Sequence, residues 1–179
     1  RLDLQQGNLE SAETNLKRFV RQFPRHPYGH HGMATLHILN DNPKKAEDAL
    51  RKSIRMCKTA EALDDLAWLL NKRGEFAVAE KTARDALSMN DKHAQVWDTL
   101  GTIQLSAKKF DDALTSMEKA FSLNSEDARI ILKCAELRAR AGKMRDAKTL
   151  CDTLSPRKAS LNKAERKRLN DLQGTIGKA

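Results

Sequence analysis

The chain has 179 residues and a formal net charge of +9, and it is 40% hydrophobic, 32% charged and only 4% aromatic. This balance allows a sizeable core and argues against a disordered tail, a collagen-like fibre and a turn-rich β-sandwich, so a helical protein fits best. The longest apolar runs, such as residues 66–70, are far shorter than the roughly 18 to 20 residues that cross a bilayer. The sequence therefore predicts no transmembrane segment.

The basic excess lies at the C-terminal end. Residues 128–179 contain 14 Lys and Arg against 5 Asp and Glu, whereas residues 1–127 contain 19 of each class. The net charge of the whole chain is therefore local to its last part, which becomes a candidate surface for an anionic partner.

A fixed period runs through the chain. One alanine in each period falls in a small, apolar segment, at successive spacings of 34, 33, 34 and 34 residues: Ala12, Ala46, Ala79, Ala113 and Ala147. Four residues after each alanine comes another apolar or small residue: Leu16, Leu50, Ala83, Met117 or Cys151. Because a spacing of four places both residues on one helical face, each period contains an amphipathic helix.

A second helical pattern precedes each alanine helix and is clearest in residues 94–105. The positions i, i+3, i+4 and i+7 of this segment are Trp97, Leu100, Gly101 and Gln104. The equivalent positions in the neighbouring periods are Leu63, Leu66, Ala67 and Leu70, and Ile131, Cys134, Ala135 and Arg138. Each period is therefore predicted to be a helix, a short turn with Gly or Asn, and a second helix. We expect Asn42 to cap one of these helices and Pro43 to begin it.

The period divides the chain into one array of units. A partial unit at 1–26 precedes units at 27–59, 60–93, 94–127 and 128–159, and a C-terminal capping helix and tail follow at 160–179. The partial unit has only a stub of its leading helix, residues 1–6. Since a repeat buries its face only against its neighbours, we expect the natural protein to continue upstream.

The last segment has its own start signals. Ser155 and Pro156 should end the preceding helix, and Asn162 with Glu165 has the spacing of a capping box. The helix that follows has an apolar side formed by Leu161, Leu169, Leu172 and Ile176. Its polar side carries a basic patch, which is Lys163, Arg166, Lys167 and Arg168.

These residues resemble the tetratricopeptide repeat family over nearly the whole chain. The pattern of large, small and alanine positions matches at Trp97, Leu100, Gly101, Ala113, Met117 and Ala120, at Leu63, Leu66, Ala67, Ala79 and Ala86, and at Ala12, Phe19 and Pro24. Departures are His30, His37, Arg138, Ser125 and Asp91. The resemblance implies an all-α fold, a right-handed α-solenoid of about four and a half stacked helix-turn-helix repeats with a capping helix.

The resemblance also implies a concave groove that binds a protein or peptide partner and is lined by the first helix of each repeat. The groove positions carried over by register are Tyr28, His31 and Thr35; Glu61, Asp64, Trp68 and Asn71; Gln95, Asp98 and Thr102; and Arg129, Lys133 and Glu136. Trp68 is either a binding hot spot or a packing residue of the adjacent helix. Asp64 and Asp98 are either acceptors for a basic peptide or plain solvated charges.

The family's carboxylate clamp, which holds a C-terminal acid group, is not expected in this chain. Arg129 and Lys133 match two of its cationic positions, but Asp64, Trp68 and Thr99 stand where Lys, Asn and Asn are required. An anionic terminus would meet an aspartate where it needs a cation.

Neither a metal site nor a disulfide is expected. His26, His30, His31 and His37 include an i, i+4 pair, but no carboxylate or Cys completes a ligand set. Cys57, Cys134 and Cys151 are scattered and form no CxxC pair, so we expect buried thiols. Cys134 and Cys151 are expected to be close neighbours in the core.

Three interpretations of the basic patch remain open: solvation of a capping helix, binding of an acidic protein, or binding of nucleic acid or an anionic membrane surface. Gly-rich phosphate loops and nucleophile motifs are missing from the sequence, so we expect no catalytic residue and no cofactor.

The sequence favours a non-enzymatic interaction scaffold. The run at 66–70 followed by residues 98–101 resembles repeats of bacterial cell-envelope and polysaccharide-export proteins, which suggests a bacterial assembly. The alternatives are a nucleic-acid-associated helical repeat that uses the basic C-terminal half, and a homo-oligomerising array. Localisation stays open between the cytoplasm and the bacterial cell envelope or periplasm, and so does the oligomeric state.

Overall fold

A computed structural model describes residues 9–177 of the chain. Within this range the chain forms ten α-helices and one 3₁₀ segment and has no β-strand, which confirms the all-helical prediction. The contacts divide the chain into two compact units, residues 1–90 and residues 91–179. The helical stub predicted at residues 1–6 lies outside the described residues.

Unit 1 contains five helices in its described part. They are α1 (Leu9–Gln22), α2 (Pro27–Leu39), α3 (Pro43–Met56), α4 (Ala60–Lys72) and α5 (Phe76–Leu87). Helix α2 packs against α3, and α4 packs against α5, as the two helices of one repeat. Helices α1 and α2 also pack together, as do α3 and α4, so consecutive repeats are stacked.

Unit 2 contains the remaining five helices. They are α6 (Ala94–Ser106), α7 (Phe110–Leu123), α8 (Ala128–Arg140), α9 (Met144–Leu154) and α10 (Lys163–Ile176), with the 3₁₀ segment Ser155–Ser160 before α10. Helix α6 packs against α7, and α8 packs against α9. Helix α10 contacts both α8 and α9.

Small residues let the two helices of each repeat approach closely. The periodic alanines are all buried, and Ala46, Ala79, Ala113 and Ala147 have no exposed surface. A Cβ atom added to Gly101 would lie 3.1 Å from Cε of Met117 and 3.3 Å from the carbonyl oxygen of Ala113. A larger side chain at this position would push α6 away from α7.

The turn inside each repeat contains one residue in the left-handed backbone region. The φ angles are 52° at Asp41, 83° at Gly74, 61° at Lys108 and 75° at Gly142. The sequence predicted Gly or Asn in these turns. The turn at residues 40–42 contains two asparagines as predicted, whereas the turn at residues 107–109 contains neither Gly nor Asn, so the prediction is wrong there. Asp41 and Lys108 adopt a backbone conformation that costs a non-glycine residue free energy.

The capping box before α10 is confirmed. The side chain of Asn162 accepts a hydrogen bond from the Glu165 amide at 3.0 Å, and the Glu165 carboxylate accepts one from the Asn162 amide at 2.9 Å. Pro43 begins α3 as expected, but Asn42 does not cap it with its side chain. The Asn42 amide group instead donates to the carbonyl oxygen of Asn40 at 3.0 Å.

Helix α10 closes the core of unit 2. Leu161 and Leu169 are buried in the same cluster as Ile131, Leu150 and Leu154. Leu172 and Ile176 pack against this cluster. The predicted apolar side of the last helix is therefore its packed side.

Two of the three thiols are buried. Cys134 and Cys151 are unpaired thiols in the core of unit 2, and burial raises the pKa of each to about 11. Cys57 is exposed at the C-terminal end of α3, so the expectation of a buried thiol is wrong there.

Nowhere in residues 9–177 is a helix long and apolar enough to span a bilayer.

Candidate partner-binding surface

Helix α4 is buried on every side except one. Its residues Ala60, Ala62, Leu63, Asp64, Leu66, Ala67, Leu69 and Leu70 are all buried. Glu61, Asp65, Trp68 and Lys72 occupy positions i, i+4, i+7 and i+11, which lie along one face of a helix. These four residues, which we name the α4 stripe, are exposed or half-exposed.

Trp68 is the largest side chain of the α4 stripe. It is 37% exposed, so its ring is partly packed and partly open to solvent. The Lys72 ammonium lies 5.3 Å from the centre of the ring. The indole therefore already contacts a cation within its own helix, in the geometry of a cation–π interaction.

Asp65 joins the α4 stripe to the preceding first helix. Its Oδ2 atom lies 2.8 Å from Nε2 of His31, which connects α2 to α4. The hydroxyl of Thr35 donates to the carbonyl oxygen of His31 at 3.2 Å. Two of the predicted groove residues, His31 and Thr35, thus make contacts within unit 1, while Tyr28 is 68% exposed.

Asp64 does not present its carboxylate as the groove interpretation requires. Only 7% of the residue is exposed, because it lies one position before Asp65 and therefore turns about 100° away from the stripe. Asn71 is partly buried, and its Oδ1 atom has no hydrogen-bond donor among the described residues. The acidic groups that reach the surface of α4 are therefore Glu61 and Asp65.

In unit 2 the corresponding acid is engaged in an ion pair. Asp98 is 7% exposed, and its two carboxylate oxygens accept hydrogen bonds from Nζ of Lys133 at 2.8 and 2.9 Å. Lys133 also donates to the hydroxyl of Thr102 at 3.2 Å. The contacts tie α6 to α8, so Asp98 is not a plain solvated charge, and its role as an acceptor for a basic peptide stays a prediction.

Arg129 pairs with the residue that caps its own helix. Although partial burial acts to raise the pKa of Asp127, the side-chain and backbone hydrogen bonds from Arg129 hold it below its ordinary value. Gln95 at the start of α6 is exposed. Of the unit 2 groove positions, Gln95 and Arg129 are the ones most open to solvent.

Arg168, one member of the basic patch, forms an ion pair within unit 2. The Arg168 guanidinium donates from Nε to Oε1 of Glu136 at 2.8 Å and makes a second contact through Nη2, joining α10 to α8. The hydrogen bond to Glu136 raises the pKa of Arg168. Lys163, Arg166 and Lys167 are exposed on the rest of the helix.

The histidines have separate surroundings. His30 lies 3.0 Å from the carbonyl oxygen of Pro24, His31 contacts Asp65, and burial lowers the pKa of His37. Within the described range, His, Cys, Asp and Glu nowhere form a group of three or more that could hold a metal ion.

Sequence reasoning missed Asp65 and Lys72 as members of the surface. The groove positions carried over from the family omit both residues. The signal that could have found them is local, because the residues at successive spacings of four, three and four from Glu61 fall on one helical face and include no aliphatic side chain.

Comparisons with known proteins agree with this architecture. Models described as tetratricopeptide repeat match residues 1–61 and 65–128, and residues 104–167. A relative from Pseudomonas aeruginosa, the type IV pilus assembly protein PilF, is 25% identical over 137 residues. The match covers 75% of this chain, and the chain spans only 54% of the length of that relative.

Solved structures share the fold. A structure from the functional characterisation of Pseudomonas aeruginosa PilF has a TM-score of 0.77 at 24% identity, covering 84% of this chain and 69% of that one. The thermophilic protein TTC0263 from Thermus thermophilus has a TM-score of 0.78 at 18% identity, covering 97% and 96%. YrrB, described as having an unusual peptide-binding site, has a TM-score of 0.63 at 15% identity, covering 97% and 82%.

The family models together match well over half of the chain, and the solved relatives are helical-repeat solenoids. The helix pairs, the buried periodic alanines and the stacked repeats of each unit agree with these matches. This chain belongs to the tetratricopeptide repeat family, whose members are protein-interaction scaffolds.

Proposed function

We propose that this protein is a non-enzymatic scaffold that binds a protein or peptide partner on the first-helix surface of unit 1, with Trp68 as the central anchor. In the family this surface lines the concave groove. The observation that carries the proposal is the partly exposed indole of Trp68 on a helix whose other sides are buried.

A tryptophan at such a position is well suited to partner binding. It offers a large, rigid, amphipathic surface at a low cost in conformational entropy, and tryptophan is enriched among the residues that dominate interface energies. Tyr28 adds a second exposed aromatic ring on α2 of the same unit. The remaining groove positions of unit 1, His31 and Thr35, would shape the surface through their contacts with α4 and within α2.

The setting we propose is a bacterial assembly in the cell envelope. The named role of the relative, type IV pilus assembly, supports this setting. Within unit 2, Gln95 and Arg129 are separate exposed candidates for partner contacts. Asp98, Lys133 and Glu136 hold α6, α8 and α10 together through ion pairs, and Thr102 accepts a hydrogen bond from Lys133.

Site-specific cross-linking tests the proposal. A photoreactive phenylalanine derivative is placed at position 68 and, in a matched variant, at Val78, which is 50% exposed on α5 of the same unit. The partner recovered from bacterial cells through position 68 is identified by mass spectrometry and purified. Its affinity is then measured for the unmodified chain, Trp68→Ala and Val78→Ala.

The proposal expects a defined protein that is cross-linked through position 68 and not through position 78. Trp68→Ala should weaken binding of that protein by a factor of about 30 or more, as for a hot-spot residue, and Val78→Ala by less than about threefold. If both variants lose the same affinity while the midpoint of urea unfolding stays unchanged, the proposed binding surface is wrong.

A further inference from the structure

The first helices of unit 1 differ in charge from the chain as a whole. Helices α2 and α4 contain three carboxylates, Glu61, Asp64 and Asp65, and a single Lys or Arg, which is Lys72. The whole chain, in contrast, carries a net charge of +9. Asp64 is buried, so the exposed part of this surface carries the two carboxylates of Glu61 and Asp65 and the one ammonium of Lys72, on a chain whose net charge is positive.

The charges are ordered along the α4 stripe. Glu61 and Asp65 stand one helical turn apart and repel each other, because like charges at i and i+4 lie on the same face. Within residues 9–177, His31 is the one group that hydrogen-bonds to the Asp65 carboxylate, and it does so through Oδ2. The side chain of Asp65 is 37% exposed, so a ligand can reach it.

Trp68, the aromatic residue of the α4 stripe, also influences which side chains of a partner can bind. The ammonium of Lys72 lies 5.3 Å from the centre of the Trp68 ring, which places a cation within the range of the ring quadrupole. Since 37% of Trp68 is exposed, the rest of the ring offers an apolar surface to a partner's side chain.

We propose that the α4 stripe binds a basic peptide segment, whose Lys or Arg side chains face Glu61 and Asp65 and whose apolar side chain packs on Trp68. This inference rests on the proposed function and states the chemistry of its partner. An acidic segment or a nucleic acid would instead bring its negative charges against two carboxylates.

The helix geometry sets the spacing of a suitable probe. Glu61 and Trp68 are seven residues apart, or about 10.5 Å along the helix axis. A peptide in the polyproline II conformation advances about 3.1 Å per residue with three residues per turn, so an arginine and a leucine three residues apart lie on one face and come close to this distance. Asp65 lies between them, about 6 Å from Glu61. The probe is therefore a fluorescent ten-residue peptide with one arginine, a second arginine two residues later and a leucine three residues after the first.

The test compares this Arg probe with a Glu probe in which both arginines are replaced by glutamate. Fluorescence anisotropy with the full chain should show at least tenfold tighter binding of the Arg probe, with a preference that falls as salt is raised. A single-stranded RNA decamer serves as a third ligand. The inference is overturned if the RNA or the Glu probe binds more tightly than the Arg probe and also displaces it. It is likewise overturned if the Arg probe does not bind at about 1 mM chain.

Two charge reversals locate the contact. Glu61 and Glu10 are both the second residue of a helix, and both are exposed acids in the first turn. Glu61→Lys should weaken binding of the Arg probe about tenfold, whereas Glu10→Lys, which changes the net charge equally, should change it less than about twofold. Equal effects of the two variants would mean that only the overall charge matters, which contradicts the proposed contact.

The design separates this inference from the proposed function. If the partner cross-linked through position 68 still depends on Trp68 but the probes show no preference for positive charge, the docking surface remains and the basic partner is wrong. Circular dichroism of Glu61→Lys and Glu10→Lys checks that both variants keep the helical content of the unmodified chain.

Discussion

Lys133 neutralises an aspartate that is almost completely removed from water. The side chain of Asp98 is 10% exposed and that of Lys133 is 29% exposed, so the pair lies between a surface ion pair and a buried one. If only the lysine is removed, the more buried aspartate keeps its charge but loses its partner. The free-energy cost of that unpaired buried charge exceeds the net contribution of the intact pair to stability.

We therefore expect Lys133→Met to lower the free energy of unfolding by about 3 kcal/mol. Arg129→Met removes a cation of the same helix from a more exposed pair with Asp127 and should cost less than about 1 kcal/mol. Urea unfolding followed by circular dichroism measures both changes. Adding Asp98→Asn to Lys133→Met should recover part of the loss, and equal losses in the two single variants would contradict this assignment.

The side chains of the candidate surface were only partly predictable from sequence. Repeat register correctly located Trp68 on an exposed face, but it could not distinguish the buried Asp64 from its exposed neighbour Asp65. The difference is a rotation of about 100° around α4, and register copied from a family average does not resolve it. The engagement of Asp98 by Lys133 depends on a contact between two repeats, which local patterns do not encode.

At the scale of single helices, the features that repeat along the chain were the ones best predicted from sequence. The period of the apolar residues predicted every helix pair between residues 27 and 154, because each pair buries one small residue at a fixed position. One turn was predicted less well, since Lys108 occupies a left-handed backbone position that usually selects glycine.

The two asparagines at helix starts allow a direct test of capping. The side chain of Asn162 accepts the amide hydrogen bond of Glu165, whereas that of Asn42 makes no such bond to α3. Asn162→Ala should lower the free energy of unfolding by about 1 kcal/mol, and Asn42→Ala should change it by a few tenths at most. Thermal unfolding of both variants checks this order, and a larger loss for Asn42→Ala would show that the caps are assigned wrongly.

Helix α10 has a stabilising role that its charge alone does not reveal. Leu161 and Leu169 extend the core of unit 2, while Arg168 bridges to Glu136 on α8. Solvation of a capping helix, one of the interpretations drawn from the sequence, therefore explains why Lys163, Arg166 and Lys167 are exposed. Binding of nucleic acid or an acidic protein to these three residues stays an alternative without further support.

For the whole molecule, the central question is which surface binds the partner. Each unit buries its own core. The hydrogen bond between His31 and Asp65 connects successive first helices within unit 1, and the ion pair between Asp98 and Lys133 does so within unit 2. On the described first helices, His31, Asp98 and Lys133 hold the fold, whereas the α4 stripe presents a partly exposed indole together with exposed charges.

The two tryptophans provide the most direct measurement of this claim. The indole N–H of Trp97 donates to the carbonyl oxygen of Asp91 at 2.7 Å within unit 2, whereas the ring of Trp68 lies on the α4 stripe. A ¹⁵N-labelled chain therefore gives two indole signals, which Trp68→Phe assigns. Titration with the partner cross-linked through position 68 should shift or broaden the Trp68 signal and leave the Trp97 signal in place. A shift confined to Trp97, or saturation binding that moves neither signal, would contradict docking on the α4 stripe.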